Sequence, residues 1–162
     1  MKAGVITVST SRSEASSEDQ SGPRLAAFAE SIGADLIERE LVGDRADEIE
    51  AALKRCADDL GCDLILTSGG TGFAPDDVTP EATMAVIQRE APGIAEALRL
   101  ESRPHTPNWM LSRGVAGIRG KSLIVNLPGS PASIDQAADV LREPLSHALA
   151  LLAGRPVSHD HR

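Results

Sequence analysis

Along this chain, short unbroken apolar runs alternate with stretches in which apolar residues recur at helical spacing. Residues 3–9, the segment opening with Leu64-Ile65-Leu66-Thr67, and residues 121–127 show almost no polar alternation, as strands buried on both faces do. Residues 35–42 predict a further strand and residues 115–118 a short one. Helical stripes lie between them. Leu25, Phe28, Ala29 and Ile32 follow Ser21, which is placed to cap their helix, and Ile49, Leu53, Cys56 and Leu60 line one face of residues 46–60. Another helix runs from Pro80 to about Glu90, and one from Pro92 carries Ile94, Leu98 and Leu100. A long one after Pro131 carries Ile134, Ala138, Leu141, Leu145, Leu149 and Leu152. Pro104 and Pro107 interrupt the pattern, so residues 102–113 receive no element. Strands alternating with helices at crossover spacing predict a three-layer α/β/α sandwich with a mainly parallel sheet. No repeat or linker divides it, so residues 1–156 read as one domain and 157–162 as a flexible tail.

That architecture says where chemistry should lie, because ligands of parallel α/β sheets bind beyond the carboxyl ends of the strands. Three loops follow apolar strands and should converge there: Val42-Gly43-Asp44, Ser68 to Asp77, and Leu127 to Ser130. The middle loop opens with Ser68-Gly69-Gly70-Thr71-Gly72, three glycines within four positions. Glycine admits φ > 0 and lets a ligand approach the main chain, and successive N–H groups in such a turn can hold an anion. Asp77 then precedes Thr79-Pro80-Glu81, read as N-cap, first helical residue and first-turn acid. The spacing matches neither a Walker A loop nor the dinucleotide fingerprint. The turn is either a phosphate cradle or a plain structural turn.

Asp44 and Asp77, each just past a buried strand, are the best pair of carboxylates. Two such acids from different loops can hold Mg²⁺, which keeps several waters and bridges substrate phosphates. The bland readings are a helix cap for Asp44 and a first-turn acid for Asp77; Asp76 reads as solvated. Gly129 and Ser130 present amides at a helix start suited to a phosphate, or form a simple cap. Arg12, Arg113, Arg119 and Lys121 are the basic candidates. The four histidines show no triad or metal spacing, and Trp109 either covers the core or packs over a planar ligand.

Charge and composition narrow the partners. A net charge of −8 argues against nucleic acid and anionic membranes. It leaves room for a phosphorylated ligand, since fields are screened over about 8 Å at physiological salt and local groups then decide. Cys56 and Cys62 are the only cysteines and read as reduced core thiols. No secretory signal precedes the first strand and no run reaches membrane length, so a cytoplasmic protein is expected.

Ser68-Gly69-Gly70-Thr71-Gly72, Asp77-Val78-Thr79-Pro80-Glu81-Ala82-Thr83 and Leu127-Pro128-Gly129-Ser130-Pro131 together resemble the MogA/MoaB family of molybdenum-cofactor biosynthesis. Ser9 to Arg12, Asp19-Gln20-Ser21-Gly22 and Leu111-Ser112-Arg113 match its other signatures, so the resemblance spans nearly the whole chain. It implies molybdopterin adenylyltransferase activity: molybdopterin and ATP, with Mg²⁺, give adenylyl-molybdopterin and pyrophosphate. The product passes to a molybdate-inserting enzyme, and the chain assembles as a homotrimer or, as in some MoaB-like members, a hexamer. On this resemblance Asp44 and Asp77 are the essential acids and metal organisers, and Ser68, Gly69, Gly70, Thr71 and Gly72 seat the nucleotide phosphates. Ser112, Arg113, Pro128, Gly129 and Ser130 hold the phosphate end of the pterin. A non-catalytic pterin-binding scaffold or carrier of the MoaB-like type is the alternative.

Overall fold

The computed structural model describes residues 1–9 and 19–156. Arg12, most of the polar segment around it, and the expected tail at 157–162 lie outside the described residues. In chain order the elements are β1 (Lys2–Val8), α1 (Ser21–Ser31), β2 (Asp35–Val42), α2 (Ala46–Lys54), β3 (Leu64–Ser68) and α3 (Thr79–Val86). There follow β4 (Arg89–Glu90), α4 (Pro92–Ser102), β5 (Ala116–Arg119), β6 (Ser122–Leu127) and α5 (Pro131–Leu152).

The six strands form one sheet in the order β2-β1-β3-β6-β5-β4. β2, β1, β3 and β6 are mutually parallel, while β5 and β4 add antiparallel at one edge. Parallel neighbours need crossovers, and the helices supply them on both faces. Ala3, Val5, Leu64, Leu66, Leu123 and Val125 face a core shared with α1, α4 and α5. Ile6, Val8, Ile65 and Ile124 face the opposite way, onto Ile49 and Leu53 of α2 and Ala82 and Val86 of α3. β3 and β6 are buried throughout, which is why their sequences lack polar alternation. The predicted α/β/α sandwich is the observed one.

Four local expectations are corrected. Ser21 does not cap α1 but is its first residue; Asp19 takes the capping role, accepting from the N–H groups of Ser21 (3.1 Å) and Gly22 (2.8 Å). Thr79 likewise lies inside α3, and Val78 at the cap position makes no side-chain bond. The helix over 46–60 gives way after Lys54 to a π turn, Arg55–Asp59, closed by Leu60 N–H to Arg55 O (3.0 Å). Finally, the helix from Pro80 stops at Val86, and Arg89–Glu90 become an edge strand. Here the unpaired edge of β5 prevails over helical propensity: Gln88 and Ala91 donate to Ile118 O and Ala116 O at 2.8 Å each. Gly117 allows the approach, since a Cβ there would sit 2.5 Å from Ile87 Cδ1. Pro92 also pushes Ala91 out of the helical region.

Candidate active site

All four parallel strands end at one edge, and the three expected loops meet there. The centre is the glycine turn after β3. Gly69 and Gly70 take φ of +96° and +63°, where a side chain is disfavoured. The space forbids one too. A Cβ on Gly69 would lie 2.2 Å from Val8 O, and one on Gly70 would lie 2.4 Å from Thr79 Oγ1. The turn is thus wedged between the end of β1 and the start of α3.

Asp77 and Arg113 hold the rest of the loop. Ala74 N–H donates to Asp77 Oδ2 (2.8 Å), and Asp77 N–H returns a bond to Ala74 O (3.0 Å). Arg113 donates its main-chain N–H to Thr71 O (2.9 Å) and Nε–H to Gly72 O (2.7 Å). Its remaining guanidinium nitrogens bond Asp77 O and the carboxylate of Glu81. A planar fork with five donors suits such a clamp, which a lysine does not reproduce. The other basic candidates within the described residues lie elsewhere. Arg119 pairs with Asp58 and Val86 O, and Lys121 stands in the turn before β6, at the opposite end of the sheet.

Asp44 follows β2 and faces the turn from the α2 side. It does not cap α2, whose cap position is Arg45 with no side-chain bond there. A Cβ on Gly70 would be 3.4 Å from its Oδ1, and its Oδ2 is buried without a hydrogen-bond partner among the described residues. Burial first, then the neighbouring charges of Asp76 and Asp77, push its carboxyl above the ordinary range. Three acids therefore sit close enough to repel, a field that a cation would relieve.

On the α1 and α5 side of the turn the surface is polar but not acidic throughout. Ser68 Oγ donates to Pro128 O (3.1 Å) and Ser21 Oγ to Gly129 O (2.8 Å), fixing the turn that leads into α5. Ser130 caps α5 by accepting from Ser133 N–H (3.2 Å). Gly129 packs on Gly69, where a Cβ would come 3.3 Å from Gly69 Cα. A hollow of about 310 Å³ opens here between Thr7, Asp19, Ser21, Ser68, Gly69 and Gly129. Ser112 lies one layer behind, near Gly114, Asn126 and Pro128. Another hollow, about 280 Å³ between Met1, Ile32, Asp63 and Leu149, is at the far end of the strands and carries none of these loops.

The structure thus gathers Asp44, Asp77, the Ser68 to Gly72 turn, Arg113 and the Pro128 to Ser130 turn at one edge. Sequence reasoning assigned no role to two polar residues beneath them. Asn126 Nδ2 donates to Thr67 Oγ1 (3.0 Å) and Thr83 Oγ1 (2.9 Å), and its Oδ1 accepts from Val115 N–H (3.2 Å). The asparagine inside an apolar run was the available signal. Asp19, the other, was legible only as part of a motif. The Arg103 guanidinium lies 6.0 Å from the ring centre of Trp109. No group of three or more His, Cys, Asp or Glu able to hold a metal occurs among the described residues. A cation at Asp44 and Asp77 would need hydroxyl, water or phosphate oxygens as well, which is the habit of Mg²⁺.

A doubly covered α/β sheet whose carboxyl edge joins a glycine turn, paired acids and two helix starts defines a ligand-binding α/β domain suited to a phosphorylated ligand. A molybdenum-cofactor biosynthesis family model described as "Probable molybdopterin binding domain" matches residues 4–148. The chain belongs to that family. It is 42% identical over 145 residues to a molybdopterin adenylyltransferase of Haemophilus influenzae, covering 88% of this chain and 74% of that protein. The crystal structure of the molybdopterin biosynthesis enzyme MoaB from Thermus thermophilus superposes with a TM-score of 0.88 at 41% identity, covering 97% of this chain and 99% of that one. The Mog protein of Mycobacterium ulcerans gives 0.87 at 42% identity, covering 95% and 97%.

Proposed function

We propose that this protein is a molybdopterin adenylyltransferase, moving AMP from ATP to the terminal phosphate of molybdopterin. An oxygen of that phosphate attacks the α-phosphorus of ATP, the new P–O bond forms, and the bond to the β-phosphate oxygen breaks to release pyrophosphate. Such transfers rest on positioning and on neutralising phosphate charge. The observation that carries the reading is Asp44: a half-buried carboxylate, one oxygen of which has no hydrogen-bond partner among the described residues, close to the charge of Asp77 and beside a glycine turn whose conformation leaves no room for a side chain.

Asp44 and Asp77 would hold Mg²⁺, which when bound supplies charge neutralisation for the polyphosphate. The glycine turn offers main-chain N–H groups to the nucleotide phosphates, and Arg113 keeps that turn in shape through Gly72 O and Asp77 O. The hollow beside Ser21, Gly129 and α5 suits the phosphate end of the pterin, where the start of a long helix favours an anion. No helix among the described residues is long and apolar enough to cross a membrane. The reading includes a cytoplasmic homotrimer that hands its product to a molybdate-inserting enzyme.

The test is anaerobic incubation with molybdopterin and Mg-ATP, following adenylyl-molybdopterin and pyrophosphate. Wild type should form both. Asp77→Asn should lower turnover by roughly 10²–10³-fold, about 3–4 kcal/mol of transition-state stabilisation, with its fold unchanged. Bound pterin without product in the wild type would make the protein a carrier. Pyrophosphate release without dependence on pterin would assign a different acceptor.

A further inference from the structure

Two oxygens near the glycine turn lack hydrogen-bond partners among the described residues: Asp44 Oδ2 and Thr79 Oγ1. They come from different elements, the loop after β2 and the first turn of α3, yet both flank one point. A Cβ on Gly70 would stand 2.4 Å from Thr79 Oγ1 and 3.4 Å from Asp44 Oδ1. Thr79 has no exposed surface. Buried hydroxyls are nearly always paired, and one left unpaired destabilises the fold. Its helical position explains nothing, because Thr79 caps no helix; its main-chain N–H instead goes to Gly70 O (3.1 Å). That bond fixes the threonine against the turn, with its hydroxyl oxygen bordering the same Gly70 position that Asp44 Oδ1 borders. Valine would fill the same volume without the unpaired oxygen, so a threonine here calls for an oxygen-seeking occupant.

The geometry points to a divalent-cation station that Asp44 and Thr79 hold together, with Thr79 offering its hydroxyl oxygen to the ion or to one of its waters. Beside Asp77, a carboxylate and a hydroxyl add two hard oxygen donors, and such a set completed by waters suits Mg²⁺ and Mn²⁺. Gly70 fits the same account, since any side chain there would collide with the hydroxyl. Asp77 borders the same loop at Gly72, where a Cβ would lie 2.7 Å from its Oδ2, and that oxygen is tied to Ala74 N–H. Thr79 thereby helps place the ion beside the acid that the proposed transfer relies on, and the inference rests on that reading of Asp44.

The test uses Mn²⁺ alone with the full chain, measuring the free ion by electron paramagnetic resonance and Tm with and without it. Wild type should bind saturably, and Asp44→Asn should abolish binding. Thr79→Val should weaken binding by about tenfold or more and shrink the Mn²⁺-induced rise in Tm, as losing a supporting metal contact does. Thr79→Ser, which keeps the hydroxyl, should bind as wild type does; Thr79→Ala gives a second deletion if valine disturbs the turn. In EDTA the valine variant should be at least as stable as wild type, an outcome that a structural hydroxyl would reverse. Unchanged Mn²⁺ affinity in both Thr79→Val and Thr79→Ala, with binding lost in Asp44→Asn, overturns this inference and leaves the role of Asp44 standing. Unchanged affinity in Asp44→Asn, or no saturable binding by the wild type, overturns both.

Discussion

Asp44 sits where the fold would be better served by a neutral side chain. Burial and the charges of Asp76 and Asp77 raise its carboxyl above the ordinary 3.8. Because the folded value exceeds the unfolded one, ionised Asp44 lowers stability at neutral pH. That penalty shrinks as pH falls through the raised value and is gone below 3.8. Asp44→Asn should therefore raise Tm at pH 7 in EDTA, each kcal/mol relieved being worth about 2–4 °C in a chain of this size. The gain should vanish toward pH 4. Thermal unfolding across that pH range checks it, and an asparagine variant less stable than wild type at pH 7 would contradict the account. The sequence points to Asp44 through its place just after a predicted strand, although β2 proves to be a half-exposed edge strand and not an apolar one. That one of its oxygens finds no hydrogen-bond partner among the described residues is not legible there, because it depends on how β2 and α3 lie across Gly70.

The element that gives the site its shape is the loop from Gly69 to Val78, and Arg113 is its clamp. Arg113→Lys keeps the charge but loses the fork that reaches Gly72 O, Asp77 O and Glu81 together. Amide exchange in residues 71–78 should speed by about tenfold in that variant. Arg113 also holds the Glu81 carboxyl below its ordinary 4.5, so the ion pair's share of the clamp is present above 4.5 and lost as pH falls through the lower folded value. The difference between wild type and variant should narrow in acid to the part carried by Gly72 O and Asp77 O; an exchange difference that is the same at pH 3 and pH 7 would remove Glu81 from the clamp. At this scale the sequence was a mixed guide. It marked the starts of α4 and α5 through Pro92 and Pro131, where proline suits a first helical position. It misplaced the caps of α1 and α3, because the groups that satisfy those first N–H donors come from a preceding loop or from the far side of the turn.

For the molecule as a whole, the parallel half was readable and the antiparallel edge was not. β1, β3 and β6 are so deeply covered that their apolar runs admit little else, and their shared direction follows from the helices between them. β4 has only two residues and exists because β5 has an open edge, a fact no local pattern carries. Asn126 shows the same limit: one polar residue in an apolar strand says that partners exist, but Thr67 and Thr83 are 59 and 43 residues away.

The hairpin between β5 and β6 turns at Gly120 and Lys121, both exposed, at the end of the sheet farthest from the glycine turn. Every loop of the candidate site leaves the other end. This domain therefore has an addressable rear face, where a tag, tether or fused module could be spliced without crossing the ligand's path. A short Gly-Ser insertion between Gly120 and Lys121 should leave turnover with molybdopterin and Mg-ATP unchanged, whereas the same insertion between Gly72 and Phe73 should abolish it. A loss of turnover from the rear insertion, with Tm preserved, would mean that the two ends of the sheet communicate.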